Sequence, residues 1–226
     1  MHALTFPASG QPLRVLALGA HADDIEIGAG ATLLRLAAER PVVIHAAVFS
    51  ATSQRQDEAR ASAAALFADA VSYELELHDM RESFFPDQWA AVKERVGTLT
   101  EFEPDVIFTH RQEDRHQDHR VLGELTWQAF RNSMILQYEI PKFEGDLGQP
   151  NAYVPIDEGL LARKIEILTS SFVSQADKQW FDADTFRGLA RIRGIECGEP
   201  WAEAFHADKF TLSPNAVSPS EVTRGQ

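Results

Sequence analysis

Two short stretches of the chain concentrate the residue types that do acid–base and metal chemistry. The first reads Gly19-Ala-His21-Ala-Asp23-Asp24-Ile-Glu26-Ile-Gly28, and the second Thr109-His110-Arg-Gln-Glu-Asp114-Arg-His116-Gln-Asp118-His119. Three of the eight histidines fall in the second stretch, so the crowding is local rather than compositional. Imidazoles and carboxylates brought to one place form the ligand set that a divalent zinc takes in an open, catalytic centre. Each stretch taken singly has a plainer explanation. A His-Asp pair after a strand is usually a helix N-cap or a surface turn, and an acidic run in an acidic chain is usually a solvated loop. The pair of stretches becomes informative only if the fold carries both to one edge.

The elements that would do so are legible as alternating patterns. Leu13 to Leu18 reads as a buried strand ending at Gly19, and Gly28 to Arg40 as a helix stopped by Pro41. Val42–Phe49, Val71–Leu77, Asp105–Thr109 and Met134–Ile140 read as further strands, separated by helical patterns at Gln54–Phe67 and Trp89–Phe102. Alternation of this kind predicts an α/β fold: a Rossmann-like, doubly wound, mostly parallel sheet with helices on both faces. In that order the first strand lies beside the fourth, and the crevice at their carboxyl ends is where ligands bind. Both stretches follow those two strands directly, and burying their histidines and carboxylates together without a cation would be costly. Gly145 to Pro155 reads as a loop, with helices returning at Asp157–Ser171 and Trp180–Ile195. Residues 1–212 are expected to form one domain and 213–226 a loose tail.

Composition narrows the function classes. With 226 residues, 44% hydrophobic and 24% charged, the chain can bury a sizeable core. Thirty-four acidic against 21 basic residues leave a formal charge of −13, which repels phosphate backbones and anionic lipid. No nucleic-acid partner and no integral membrane segment are expected, and a cytoplasmic location is the simplest reading. The single cysteine, Cys197, leaves neither an internal disulfide nor a cysteine zinc knuckle.

The segment His21-Ala-Asp23-Asp24-Ile-Glu26-Ile-Gly28-Ala-Gly30 resembles the His-Pro-Asp-Asp signature of the LmbE/PIG-L family of zinc-dependent N-deacetylases, and His116-Gln-Asp118-His119 is similar to that family's later His-x-Asp-His motif. Further similarity appears at Arg55-x-x-Glu58, Tyr138-Glu-Ile-Pro141, and Arg193-Gly194 followed by Ala202-Glu-Ala-Phe205, so it runs from the first strand to Phe205. Ala22 stands where the family has proline, a residue that stiffens the turn without supplying a ligand. The resemblance implies hydrolysis of an N-acetyl or other short N-acyl group, usually on an amino sugar or its conjugate. It also implies Zn2+ or another divalent transition metal as cofactor, and homo-oligomers are common among relatives.

Spacing alone says that Asp23 and Asp24, adjacent in an extended segment, point apart, but not which of them ligates. The resemblance makes His21, Asp24 and His119 the metal ligands and Asp23 the general base, leaving a metal position for water. It makes His116 a protonated oxyanion donor, which Asp118 would orient and keep charged. Arg55, opening a helix at the same sheet edge, is expected to bind substrate, the alternative being an ordinary helical pair with Glu58. Tyr138, Arg191 and Arg193 are expected to line the cleft, the alternative for both arginines being a solvated helix face. His110 and Asp114 are placed in support of the ligands, Glu26 near the start of the following helix, and Gly28 and Gly30 where that helix packs closely.

Two other readings compete. One is a non-hydrolytic Rossmann-type dinucleotide-binding module, against which stand the absence of G-x-G-x-x-G at the first turn and of an acidic residue ending the second strand. The other is hydrolysis of a glycosidic or ester bond with a hard cation such as calcium, which two histidine ligands disfavour.

Overall fold

A computed structural model describes residues 10–211. The expected tail from Ser213 onward lies outside the described residues. The strands are β1 (Leu13–His21), β2 (Val42–Ser50), β3 (Ser72–Leu77), β4 (Val106–His110), β5 (Met134–Tyr138), β6 (Ala152–Ile156) and β7 (Trp201–His206). They form one seven-stranded sheet in the order β3-β2-β1-β4-β5-β7-β6. The first five strands are parallel, and β7 runs antiparallel to both β5 and β6. β1 and β4 are neighbours, with Val15 opposite Val106 and Ala17 opposite Phe108. This is the expected doubly wound α/β sheet.

The helices are α1 (Asp24–Glu39), α2 (Ser53–Leu66), α3 (Trp89–Thr98), α4 (Gln117–Ala129), α5 (Glu158–Ser171) and α6 (Ala183–Cys197). β1 and β2 are buried almost end to end, as strands covered on both faces must be, and their alternate residues feed two cores. Val15 and Ala17 join the core under α1, α2 and α5, whereas Leu16, Leu18 and Ala20 join Val92, Val96 and Leu122 of α3 and α4. α6 packs against β7, β6 and α5.

Three local expectations need correction. β1 runs on through His21, and α1 starts at Asp24 rather than Gly28. Asp23 is the N-cap in a helical-region conformation, so Asp23 and Asp24 diverge at a strand-to-helix corner and not along an extended segment. The stretch read as a loop contains β6, whose Pro155 is tolerated because β6 is the sheet's outer strand. β7, which no strand expectation covered, is the antiparallel strand that seats β6. Gly28 meets its packing role closely: a Cβ there would lie 2.2 Å from Tyr138 Cδ2, so only glycine lets α1 approach β5.

Candidate active site

The carboxyl ends of β1 and β4 deliver His21 and His110, and the helix N-termini that follow deliver Asp23, Asp24, His116, Asp118 and His119. His21, Asp23, Asp24, His110, Asp118 and His119 are all buried. The sheet thus brings the two sequence stretches together. His21 Nδ1 lies 3.1 Å from His119 Nε2 and 3.4 Å from Asp24 Oδ2, and His119 Nε2 lies 3.6 Å from Asp24 Oδ1. His21, His116 and His119 could hold a metal ion together, as could Asp24, His110 and His119.

The outer nitrogens of the two facing imidazoles decide what the inner ones are. His21 Nε2 lies 3.3 Å from Asp118 Oδ2, and His119 Nδ1 lies 3.1 Å from Asp114 Oδ2. A carboxylate only accepts, so each of these nitrogens carries a proton, and when both rings are neutral they turn bare lone pairs toward each other and toward Asp24. Three electron-rich groups converging in a buried place need a cation. A carboxylate behind each histidine is also how metal-ligating imidazoles are oriented. The donor set therefore fits a divalent transition metal.

In the metal-free chain a proton meets that need. Burial lowers His21, but Asp24 and Asp118 outweigh it and push its pKa up to about 10. Burial and the neighbouring His110 push His119 down to about 3. The one positive charge there is the proton on His21, which a metal would have to replace. Asp114 is raised by burial yet held well below the usual carboxylate range by His119, His110 and Lys142.

Asp23 is positioned by Arg55, whose Nη2 donates to Asp23 Oδ1 at 2.6 Å. Burial raises the Asp23 pKa against the pull of that guanidinium. The alternative pairing of Arg55 with Glu58 is absent among the described residues, since Glu58 instead accepts from the backbone N–H and hydroxyl of Ser174. Arg55 Nε is buried without a hydrogen-bond partner. Glu26 accepts from Ser62 Oγ at 2.5 Å within the first turn of α1, and burial pushes its pKa up to about 8.

The second stretch corrects one expected pairing. Asp118 does not orient His116: its carboxylate accepts from Ser83 N (2.6 Å) and Phe85 N (3.0 Å) and faces His21. The link to His116 runs through the backbone, with Asp118 N–H donating to His116 Nδ1 at 3.3 Å. With Nδ1 accepting, the neutral His116 ring carries its proton on Nε2. Burial and the charge on His21 lower its pKa against the pull of Asp118, Asp24 and Asp114, which favours the neutral ring over the expected imidazolium. Asp114 anchors both ends of the motif, accepting from His116 N at 2.8 Å as well as facing His119.

Two residues expected in the cleft are elsewhere. Tyr138 is 1% exposed, and its hydroxyl donates to Leu18 O at 2.5 Å beside His110 Nε2 at 3.2 Å. It braces the floor beneath the site. Arg193 is buried in a two-pronged pair with Glu139 (2.8 and 2.6 Å) and reaches Glu196 at 2.7 Å, leaving little to offer a substrate. Arg191 donates to Pro200 O on the surface. Lys142, missed in the sequence, bridges Asp114 and Asp146 at 3.0 and 2.7 Å and ties the segment after β5 to the site. Only its position just past Pro141 hinted at this.

A family model described as PIG-L, GlcNAc-PI de-N-acetylase, matches residues 16–130. Uncharacterized deacetylase YaiS of Escherichia coli K12 is 32% identical over 144 residues, covering 56% of this chain and 74% of the relative. Among solved structures, N,N'-diacetylchitobiose deacetylase from Pyrococcus horikoshii matches with a TM-score of 0.63 at 20% identity, over 85% of this chain and 82% of that one. GalB, the 4-carboxy-2-hydroxymuconate hydratase of Pseudomonas putida KT2440, matches with a TM-score of 0.69 at 16% identity, over 90% and 99%. Those two structures share the fold and differ in named activity, so the fold by itself does not select the reaction. The family match spans β1 to α4, the segment that carries both histidine stretches, and the chain belongs to the PIG-L, or LmbE-like, family of de-N-acetylases.

Proposed function

We propose that the chain is a metal-dependent hydrolase that removes an N-acetyl or other short N-acyl group from an amino sugar or amino-sugar conjugate. The observation that carries this reading is the meeting of the His21 and His119 lone pairs with Asp24, each imidazole backed by its own carboxylate. In this reading His21, Asp24 and His119 hold the metal, zinc being the ion their chemistry suits best. When bound, the ion supplies Lewis acidity to water and to the acyl oxygen.

The side chains do the rest. Asp23 takes a proton from the attacking water and returns it to the leaving amine. Its pairing with Arg55 supports that role by fixing the carboxylate while burial keeps it basic enough to accept a proton. His116, protonated on Nε2, donates to the oxyanion as the carbonyl carbon becomes tetrahedral. Asp118 and Asp114 act through His21 and His119, holding each ring in the tautomer that ligates. The Arg55 guanidinium, fixed by Asp23, offers its outer N–H groups to a hydroxyl or carboxylate of the sugar.

The test is an amine-release screen. The full chain, stripped with a chelator and reloaded with zinc, is assayed against N-acetylglucosamine, its glycosides, chitobiose-type disaccharides and simple N-acetyl amines without a ring. Metal-dependent release from the sugars and not from ring-free amines is expected. No release from any N-acyl sugar, with or without zinc, would overturn the reading. Among the described residues no helix is long and apolar enough to cross a membrane.

A further inference from the structure

Far from the site, His45 of β2 and Glu74 and Glu76 of β3 form a second group able to hold a metal ion, with their ligand atoms within 4.8 Å of one another. The register explains the grouping. His45 is directly opposite Glu74, and Ala47 opposite Glu76, so the two glutamates at i and i+2 share one face with His45. His45 lies five residues before the end of β2 at Ser50, roughly 17 Å along the strand from the edge that bears the active site.

Each member is set for a cation. The His45 ring is buried, held edge-on by Phe102, and its Nε2 lies 2.8 Å from Glu76 Oε1. Glu76 Oε2 faces a second imidazole nitrogen, His78 Nε2, at 3.4 Å. That nitrogen is shut off from solvent and has no hydrogen-bond partner. Burial and nearby Arg95 lower the His78 pKa against Glu76 and Asp79, which keeps the ring neutral. Glu74, exposed, has no ion pair or hydrogen bond among the described residues, although it sits beside a second carboxylate. A cation held between His45 Nε2 and Glu76 would have Glu74 closing the set, with the His78 ring against the other Glu76 oxygen. Ligands of a tetrahedral zinc lie roughly 3.3 Å apart, within reach of these separations.

We propose that His45, Glu74 and Glu76, with His78 against the far oxygen of Glu76, form a second divalent transition-metal site that staples the outer strand β3 to β2, independent of the active site. An ordinary histidine–glutamate ion pair would need only His45 and Glu76. Glu74 is therefore the discriminating residue, because its removal costs nothing unless a metal is bound there.

The test is zinc stoichiometry on the full chain, stripped with a chelator and titrated with zinc chloride against a competing dye, for wild type, Glu74→Gln, and the His45→Gln/Glu74→Gln double variant. Wild type is expected to bind one equivalent more than the double variant, and Glu74→Gln to bind that equivalent at least tenfold more weakly. Cobalt is expected to shift the His45 and His78 ring resonances in wild type and not in the double variant, while amine release stays unchanged in Glu74→Gln. Equal stoichiometry in wild type and the double variant at zinc concentrations up to about 100 μM, a weak-binding threshold, would overturn the proposal.

Discussion

Buried charge appears in two regions of this molecule, and they are built on opposite terms. Beneath α1, Lys164 Nζ donates to Glu203 Oε1 at 2.7 Å and to Ile27 O at 2.6 Å, while the Glu203 carboxylate also accepts from the backbone of Ala31 and Thr32. Nearby, Arg193 and Glu139 close their two-pronged pair. Every charge there meets its opposite, and nothing is left for a ligand. At the ends of β1 and β4 the accounts do not balance. Two imidazoles and a carboxylate face one another, and the positive charge they require is a proton on His21 or a bound metal. Burial alone does not mark function; an unmet requirement does. Arg193, expected in the cleft, belongs to the balanced region.

That contrast can be broken by substitution, starting from the largest effect. Asp23→Asn keeps a partner for Arg55 but loses the base, and turnover is expected to fall about 100- to 10,000-fold with metal content unchanged. His119→Ala is expected to lose the metal itself, read by elemental analysis. In the balanced region Lys164→Met strands the Glu203 carboxylate and is expected to cost about 3–5 kcal/mol in a denaturant titration, with turnover per folded molecule retained. If Lys164→Met were as stable as wild type, the balanced region would not be structural.

Smaller effects sharpen the same contrast. The metal-free chain holds a proton on His21, whose pKa is raised to about 10. That proton contributes stability below the unfolded value near 6.5, and the contribution is lost as pH rises through about 10. A metal must displace it, so apparent zinc affinity is expected to rise about tenfold per pH unit between roughly pH 7 and 9, measured by competition with a chelator. Tyr138→Phe removes the bond to Leu18 O and the contact with His110 Nε2 and is expected to cost about 1 kcal/mol while leaving KM unchanged. A raised KM would return Tyr138 to the cleft.

How much the sequence disclosed depended on how local each signal was. The β1–β4 adjacency was readable because alternating strands and helices of the first two thirds admit one simple winding, and the meeting of the two histidine stretches followed from it, whereas the choice of His21, Asp24 and His119 as ligands rested on the family resemblance. β7 and β6 were not readable, since Trp201–His206 is short and Pro155 argues against a strand unless the strand is known to be outermost. Partner choice was the least legible. Asp118 lies two residues from His116, yet its carboxylate turns to His21, 97 positions away, because the backbone N–H groups of Ser83 and Phe85 fix it there. Tyr138 and Arg193 carry polar ends suited to a substrate, and only tertiary packing shows that other protein groups occupy those ends.

The most direct test is to titrate zinc into the stripped full chain while following amine release from an N-acetylated sugar, with His119→Ala in parallel. Activity should appear with the first equivalents in wild type and fail to appear in His119→Ala at any zinc concentration. Full activity in the stripped wild type, or equal recovery in His119→Ala, would contradict the claim that these imidazoles and Asp24 grip a catalytic cation.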